Sequence, residues 1–228
     1  MNASAGSPVT TTDGAWAVVV VGGEALSERA VAAVPPGAVV VAADGGLDHA
    51  VAAGLAPTYL VGDLDSITAA GRMWAYAHGV VIVEHPTDKD ATDTELAIAT
   101  AVGLEAVQSL LLVGGLAGHP DRFDHVLGTL LALGHPSLAA LREVRAVIGD
   151  TEFVVVHAGR DTHLPLEVGR TFSLVALHGP ASGVHLSGAR WALNDASLTG
   201  TEARGVSNVA EENLMIRLDN GVVTAVIP

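Results

Sequence analysis

The chain has no cysteine, so disulfide bridging and thiol catalysis are both excluded. Aromatic residues are scarce, at 4%, although half of the chain (50%) is hydrophobic. Ala, Val, Leu and Gly therefore supply the core, which favours tightly packed α/β layers over an aromatic-rich scaffold. Positive charge is scarce as well. Eleven Lys and Arg stand against 25 Asp and Glu, a formal net charge of −14, in a chain of 228 residues. Nonspecific binding to nucleic acid needs basic surface and is not expected. An anionic substrate would be repelled unless a cation bridged it, so phosphate chemistry here calls for a metal ion such as Mg²⁺. No apolar run approaches the roughly 20 residues of a membrane-crossing helix, so no membrane partner is expected. Residues 1–14 are small and polar, without the basic start and apolar segment of a signal peptide. They read as a disordered tail, and the protein reads as cytoplasmic.

Against that background one stretch stands out. Asp63, Asp65, Asp88, Asp90 and Asp93 crowd around Lys89, which is the one lysine among the 11 basic residues. Carboxylates that dense repel one another unless something cationic sits among them. Hard oxygen ligands at close spacing suit Mg²⁺, which prefers carboxylates, water and substrate phosphates. Lys89 adds a compact point charge of the kind used against phosphate.

The chain divides by pattern. Residues 15–21, 38–42, 59–61, 80–84 and 107–113 are short apolar, β-rich runs. Helical patterns lie between and after them at 26–34, 46–53, 69–78, 92–102 and 123–133, with Thr92 or Asp90 as the cap of the fourth. Buried strands alternating with helices imply a mainly parallel, Rossmann-like sheet covered on both faces. Ligands of such sheets bind beyond the carboxyl ends of the strands. Gly22-Gly23, Asp44-Gly45-Gly46, Asp63/Asp65 and Gly114-Gly115 each follow a strand and should meet on one rim. After His135-Pro136 the pattern changes. Runs at 144–148, 153–157, 171–178, 184–186, 214–218 and 222–227 are separated by turns such as Gly149-Asp150, Gly179-Pro180 and Asn220-Gly221. The expected organisation is an α/β domain over 15–142 followed by an all-β, sandwich-like domain over 143–228.

Each motif has a plain reading beside the functional one. Asp63-x-Asp65 after a strand is equally a solvated turn with a helix cap. It also opens the phosphatases of the haloacid dehalogenase type, where Asp63 would be a nucleophile. Asp88-Lys89-Asp90-x-x-Asp93 is a charged helix start on the plain reading. It also gathers carboxylates, the Thr92 hydroxyl and free backbone N–H groups at one helix end, a frame for a metal–phosphate complex. Gly114-Gly115 opens a glycine-rich loop that reaches Arg122, a bidentate phosphate ligand on the functional reading and a surface arginine on the plain one. His125 reads as a core histidine, a phosphate donor or a partner of Asp124. Trp191, in a β-rich region, is more often core than ligand platform.

Taken together, the motifs resemble the thiamine pyrophosphokinase family. The resemblance rests on Gly22-Gly23, Asp44-Gly45-Gly46, Asp63-Leu64-Asp65-Ser66, the run Pro86–Glu95, Gly114-Gly115 and Arg122-Phe123-Asp124-His125. It extends to Gly188-Ala189-Arg190-Trp191-Ala192-Leu193 and Ser207-Asn208 near the other end. The chain departs from the family in the loop Ala117-Gly118-His119-Pro120-Asp121, which is longer than the usual glycine pair. The resemblance implies transfer of a pyrophosphoryl group from ATP to thiamine, giving thiamine diphosphate and AMP with Mg²⁺ assistance. It implies Asp44, Asp63, Asp65 and Asp93 at the metal, with Asp63, Asp65, Lys89 and Asp93 catalytic. Gly22, Gly23, Asp44, Gly45, Gly46, Ser66, Asp90, Thr92, Gly114, Gly115, Arg122, Asp124 and His125 would meet nucleotide and phosphates. Trp191, Ser207 and Asn208 would meet thiamine, at a site shared across a homodimer. A Mg²⁺-dependent phosphohydrolase, a pyrophosphokinase of another small alcohol such as a pterin, and a nonenzymatic binding module are the alternatives.

Overall fold

A computed structural model describes residues 15–115 and 123–228. The expected tail 1–14 and the loop 116–122, with Arg122, lie outside the described residues. In chain order the first part runs β1 (Ala15–Val20), α1 (Glu28–Ala32), β2 (Val39–Ala43), α2 (Gly46–Ala52), β3 (Tyr59–Gly62), α3 (Ala69–Ala77), β4 (Val81–Glu84), α4 (Asp93–Val102), β5 (Val107–Gly114), α5 (Phe123–Ala132) and β6 (Glu143–Ile148). Then follow β7 (Thr151–His157), β8 (Thr162–Leu164), β9 (Thr171–Val175), β10 (Ala181–Ala189), β11 (Leu193–Leu198), β12 (Asn208–Arg217) and β13 (Val222–Ile227).

Alternation along β1 sets the layers. Ala17, Val19 and Val21 enter one apolar cluster with Ala97, Ile98 and Ala101 of α4. Trp16, Val18 and Val20 enter another with Ala30 of α1 and Ala50 of α2. A strand apolar on both sides must be covered on both sides, and here helices cover it. β6, β5, β1, β2, β3 and β4 pair in that order, all in parallel. From β1 the chain steps outward to β4. Then α4 carries it back across the sheet, and β5 joins the opposite edge of β1. The order therefore reverses between β1 and β5, where Gly22-Gly23 follows β1 and Gly114-Gly115 closes β5.

The remaining strands continue the same hydrogen-bonded path in antiparallel pairing, from β6 through β7, β13, β9, β12 and β10 to β11. Fully buried Phe172, Leu174, Leu186, Leu214 and Ile216 centre their own apolar cluster. The architecture is thus a mixed sheet with few helices. β6 lies beyond the expected boundary at 142/143, yet it pairs in parallel with β5, so the sheet runs through that boundary. The helix expected over 26–34 is the shorter α1. The strand expected over 214–218 starts at Asn208, and β8 and β11 lacked a legible signal. β11 reads Leu-Asn-Asp-Ala-Ser-Leu and buries only Ala196 and Leu198, and β8 has three residues. No helix among the described residues is long and apolar enough to cross a membrane.

Candidate functional site

Three carboxylates converge at the ends of the parallel strands. Asp44 follows β2, Asp63 follows β3, and Asp93 opens α4. One oxygen from each lies within 4.8 Å of the others. Gly62 makes this approach possible. A Cβ there would stand 3.1 Å from both the Asp44 Cβ and Asp93 Oδ1, at a φ of +147°. Asp44 itself is held at φ 44° and Leu64, between Asp63 and Asp65, at φ 64°. A non-glycine residue in the left-handed region is strained and persists only where its surroundings impose it. Burial of the Leu64 side chain and a bond from the Arg72 guanidinium of α3 to the Leu64 carbonyl (2.8 Å) impose it here. Arg72 carried no signal in the sequence.

Lys89 sits between two members of the trio, its Nζ 3.1 Å from Asp63 Oδ2 and 3.1 Å from Asp93 Oδ1. The Lys89 bond holds the Asp63 carboxyl below the usual carboxylate range. Burial opposes the charge on Lys89, but Asp63 and Asp93 outweigh it and raise the ammonium above its ordinary value. Asp44 faces the other way. Burial is the main cause pushing its carboxyl up, with the charges of Asp93, Asp65 and Asp63 adding to it against a bond from Ser66. Ser66 N–H donates to Asp44 Oδ2 at 3.3 Å. Oδ1 of Asp44 is buried and has no hydrogen-bond partner among the described residues, and the residue is only 8% exposed. A buried carboxylate oxygen with no partner is costly, so the position calls for a cation.

The remaining expected residues divide. Asp65 lies outside the trio. It is exposed, accepts the Ser66 hydroxyl at 2.8 Å, and donates its own N–H to Asp63 Oδ1 at 3.3 Å. Asp90 is exposed. Thr92 caps α4 in a reciprocal capping box with Glu95. Its hydroxyl accepts from Glu95 N–H at 3.2 Å, and Glu95 Oε2 accepts from Thr92 N–H at 2.8 Å, so Thr92 fixes the helix end that presents Asp93. Gly46 packs α2 against the end of β1, where a Cβ would meet the Val20 carbonyl at 2.1 Å. Gly22 and Gly23 are exposed, and Gly115 closes on the Glu24 backbone, leaving no room for a side chain. Asp124 and His125 are exposed on α5, with His125 Nε2 3.9 Å from Asp124 Oδ2.

Trp191 is not core. It is 56% exposed, with the Arg190 guanidinium over its ring at 5.7 Å from the centroid. Arg190 is in turn paired with Glu211 at 2.9 Å. Ser207 is exposed, at φ 61°, and donates its N–H to Ser173 Oγ. Asn208 is 3% exposed. Its Oδ1 accepts from Trp191 N–H (3.1 Å) and Val209 N–H (2.8 Å), and its Nδ2 donates to the Trp191 carbonyl (2.9 Å).

Residues 36–143 match the family model for the thiamin pyrophosphokinase catalytic domain. Residues 161–223 match that for the thiamin pyrophosphokinase vitamin B1 binding domain. A thiamine pyrophosphokinase of Oryza sativa subsp. japonica is 24% identical over 165 residues, covering 68% of this chain and 60% of that relative's length. The fold is similar to a thiamine pyrophosphokinase from Bacillus subtilis, with TM-score 0.74, 19% identity, and 93% and 98% of the two chains covered. It is also similar to a thiamin pyrophosphokinase family protein from Enterococcus faecalis, with TM-score 0.71, 20% identity, and the same coverage of 93% and 98%.

Proposed function

The chain belongs to the thiamin pyrophosphokinase family, and from that premise we propose that it transfers the pyrophosphoryl group of ATP to the hydroxyethyl oxygen of thiamine. The products are thiamine diphosphate and AMP. The observation that carries the reading is the trio Asp44, Asp63 and Asp93 at the strand ends, with a buried oxygen of Asp44 left without a partner among the described residues. Three hard oxygen donors at that spacing fit Mg²⁺, which when bound would neutralise polyphosphate charge and draw the nucleotide to an acidic protein. Asp44, Asp63 and Asp93 would hold it, and Asp65 would join from the adjoining turn.

The chain's own groups do the rest. Lys89 directs its ammonium at the polyphosphate, and Arg122, which lies outside the described residues, adds a second cation. Gly22, Gly23, Gly45, Gly46, Gly114 and Gly115 let backbone N–H groups reach phosphate oxygens. Ser66, Asp90, Thr92, Asp124 and His125 line the same nucleotide region. Asp63 or Asp65 accepts the thiamine hydroxyl proton as the oxygen attacks the β-phosphorus, Asp63 being already committed to Lys89 and Asp65 standing exposed beside it. Positioning and charge neutralisation, rather than covalent catalysis, supply the acceleration. Residues 15–142 form the Rossmann-like nucleotide and metal half, and 143–228 the sandwich-like half. Trp191, Ser207 and Asn208 of the second half serve thiamine, at a site shared in a cytoplasmic homodimer.

AMP release from MgATP, assayed with and without thiamine, tests the reaction. AMP and thiamine diphosphate should appear together and only with thiamine. Phosphate release without thiamine indicates a phosphohydrolase, and AMP formed only with a pterin alcohol indicates a different acceptor. Binding without turnover indicates a binding module. Sedimentation tests the homodimer.

A further inference from the structure

Resting on the reading of Trp191 as a thiamine platform, we propose that Asn208 does not touch the vitamin but acts as a positioning residue, holding the Trp191 backbone so that the indole stands clear of the sheet. Asn208 opens β12 and pairs with Phe172 of β9, whose side chain is fully buried. Only 3% of Asn208 is exposed. A primary amide offers two donor hydrogens and two acceptor lone pairs. Both acceptor positions of Asn208 are taken, by the N–H groups of Trp191 and Val209, and one donor is taken by the Trp191 carbonyl. The side chain therefore grips both backbone polar groups of one residue, as a neighbouring strand would. Arg190 N–H donates to the Val209 carbonyl at 2.9 Å and adds a third tie between the two segments.

The tie matters because of where it acts. β10 ends at Ala189 and β11 starts at Leu193, so Trp191 sits in the turn between them with no ladder of its own. The residue is 56% exposed, and one face of its ring carries the Arg190 guanidinium, which Glu211 restrains. What fixes the height and direction of the other face is the backbone of residue 191, and Asn208 is the side chain that fixes that backbone. A buried amide with three such bonds has no free acceptor for a ligand. It can impose geometry on the ring that meets one.

A double-mutant cycle tests the assignment, with thiamine and with Mg²⁺ plus a nonhydrolysable ATP analogue as separate probes. Trp191→Ala and Asn208→Ala should each weaken thiamine binding about tenfold, on the scale of a lost stacking or cation–π contact. Asn208→Ala added to Trp191→Ala should weaken it no further, because residues acting through one contact are not additive. Binding of the ATP analogue should be unchanged throughout. Asn208→Asp keeps the two acceptor bonds but sets a buried carboxylate oxygen against the Trp191 carbonyl, so it should not restore the affinity lost in Asn208→Ala. The Trp191 fluorescence anisotropy, taken as the difference from the Trp191→Ala protein, should fall in Asn208→Ala without ligand. If the two losses multiply in the double mutant, or if the anisotropy is unmoved, Asn208 is not a positioning residue, while the platform reading stands. If Trp191→Ala leaves thiamine affinity intact, the platform reading itself is overturned and the positioning role falls with it.

Discussion

Asp44 carries two opposed demands at the scale of a single residue. Its backbone is in the left-handed region, its carboxyl is buried beside two other carboxylates, and one oxygen has no partner among the described residues. All of this costs stability while no cation is bound, and all of it aims charge at one point. Asp44→Asn removes the buried negative charge but keeps an oxygen that can accept from Ser66 N–H. In the presence of chelator the Asn protein should therefore be more stable than the parent by on the order of 1 kcal/mol, a typical single-substitution effect. With Mg²⁺ it should lose at least about 100-fold in turnover. Urea midpoints in chelator decide the first point, and a less stable Asn protein would show that Asp44 is a structural cap. Lys89 supplies the complementary prediction. Lys89→Ala leaves Asp63 and Asp93 without their shared cation, so the melting temperature in chelator should fall and millimolar Mg²⁺ should restore most of it. Lys89→Arg should rescue only in part, because a planar fork does not replace a point charge between two carboxylates. Full rescue of activity by Arg would mean that net charge alone matters at this position. The clustering of Asp63, Lys89 and Asp93 was legible in the sequence. Arg72 was not, since its bond to the Leu64 carbonyl follows from how α3 packs.

At the scale of elements, α4 joins the fold to the site. Its apolar face, Ala97, Ile98 and Ala101, covers the central strands, while its first residue, Asp93, belongs to the carboxylate trio. The capping box of Thr92 and Glu95 is the hinge between these two roles. Thr92→Ala should cost about 1 kcal/mol of stability, as for other lost hydroxyl caps. It should also weaken Mg²⁺ binding severalfold by loosening the end that presents Asp93, and Thr92→Ser should restore both. Urea midpoints at unchanged slope, with a Mg²⁺ titration of each protein, check this. A stability loss with unchanged metal affinity would separate the cap from the site. The cap was legible because Thr92 and Glu95 are local in sequence. β8 and β11 were not, because a strand as polar as Leu193–Leu198 forms only once β10 offers it an edge. The gathering of Asp44 with Asp63 and Asp93 was legible only in outline, through the rule that parallel strands end on one rim. The distances depended on Gly62 and on the left-handed turns around it, which periodicity does not reveal.

At the scale of the whole molecule, the parallel and antiparallel strands are one hydrogen-bonded path, and two largely buried histidines lie where the end of α5 meets it. The Leu133 backbone favours a proton on His157 of β7, whose Nε2 is buried without a partner among the described residues. The Leu131 backbone favours a proton on His178, beyond β9, and its Nε2 lies 3.0 Å from Thr224 Oγ1 of β13. Gly134 leaves room for that ring, since a Cβ there would stand 2.1 Å from His178 Nδ1. Burial pushes both histidines below the ordinary value of 6.5, with Arg160 opposing a proton on His157 and His157 opposing one on His178. The sign follows from linkage. Each folded-state value is depressed, so the unfolded chain binds more protons once the pH drops below about 6.5, the unfolded value. Stability held at pH 7.5 should therefore decline as the pH falls through 6.5, by at most about 1.4 kcal/mol per pH unit for each histidine, and level off once both folded-state values are passed. The lowered carboxyl of Asp63 adds a further loss only as the pH falls through its ordinary 3.8, so its window opens at lower pH than that of the histidines. Urea midpoints at pH 7.5, 6.5 and 5.5 measure the slope, and His178→Gln, which keeps a polar group beside Thr224 but cannot be protonated there, should flatten it. An equally steep decline in the His178→Gln protein would move the origin of the pH response away from His178. A flat profile in the parent would mean that the junction opens enough for water to solvate both charged rings.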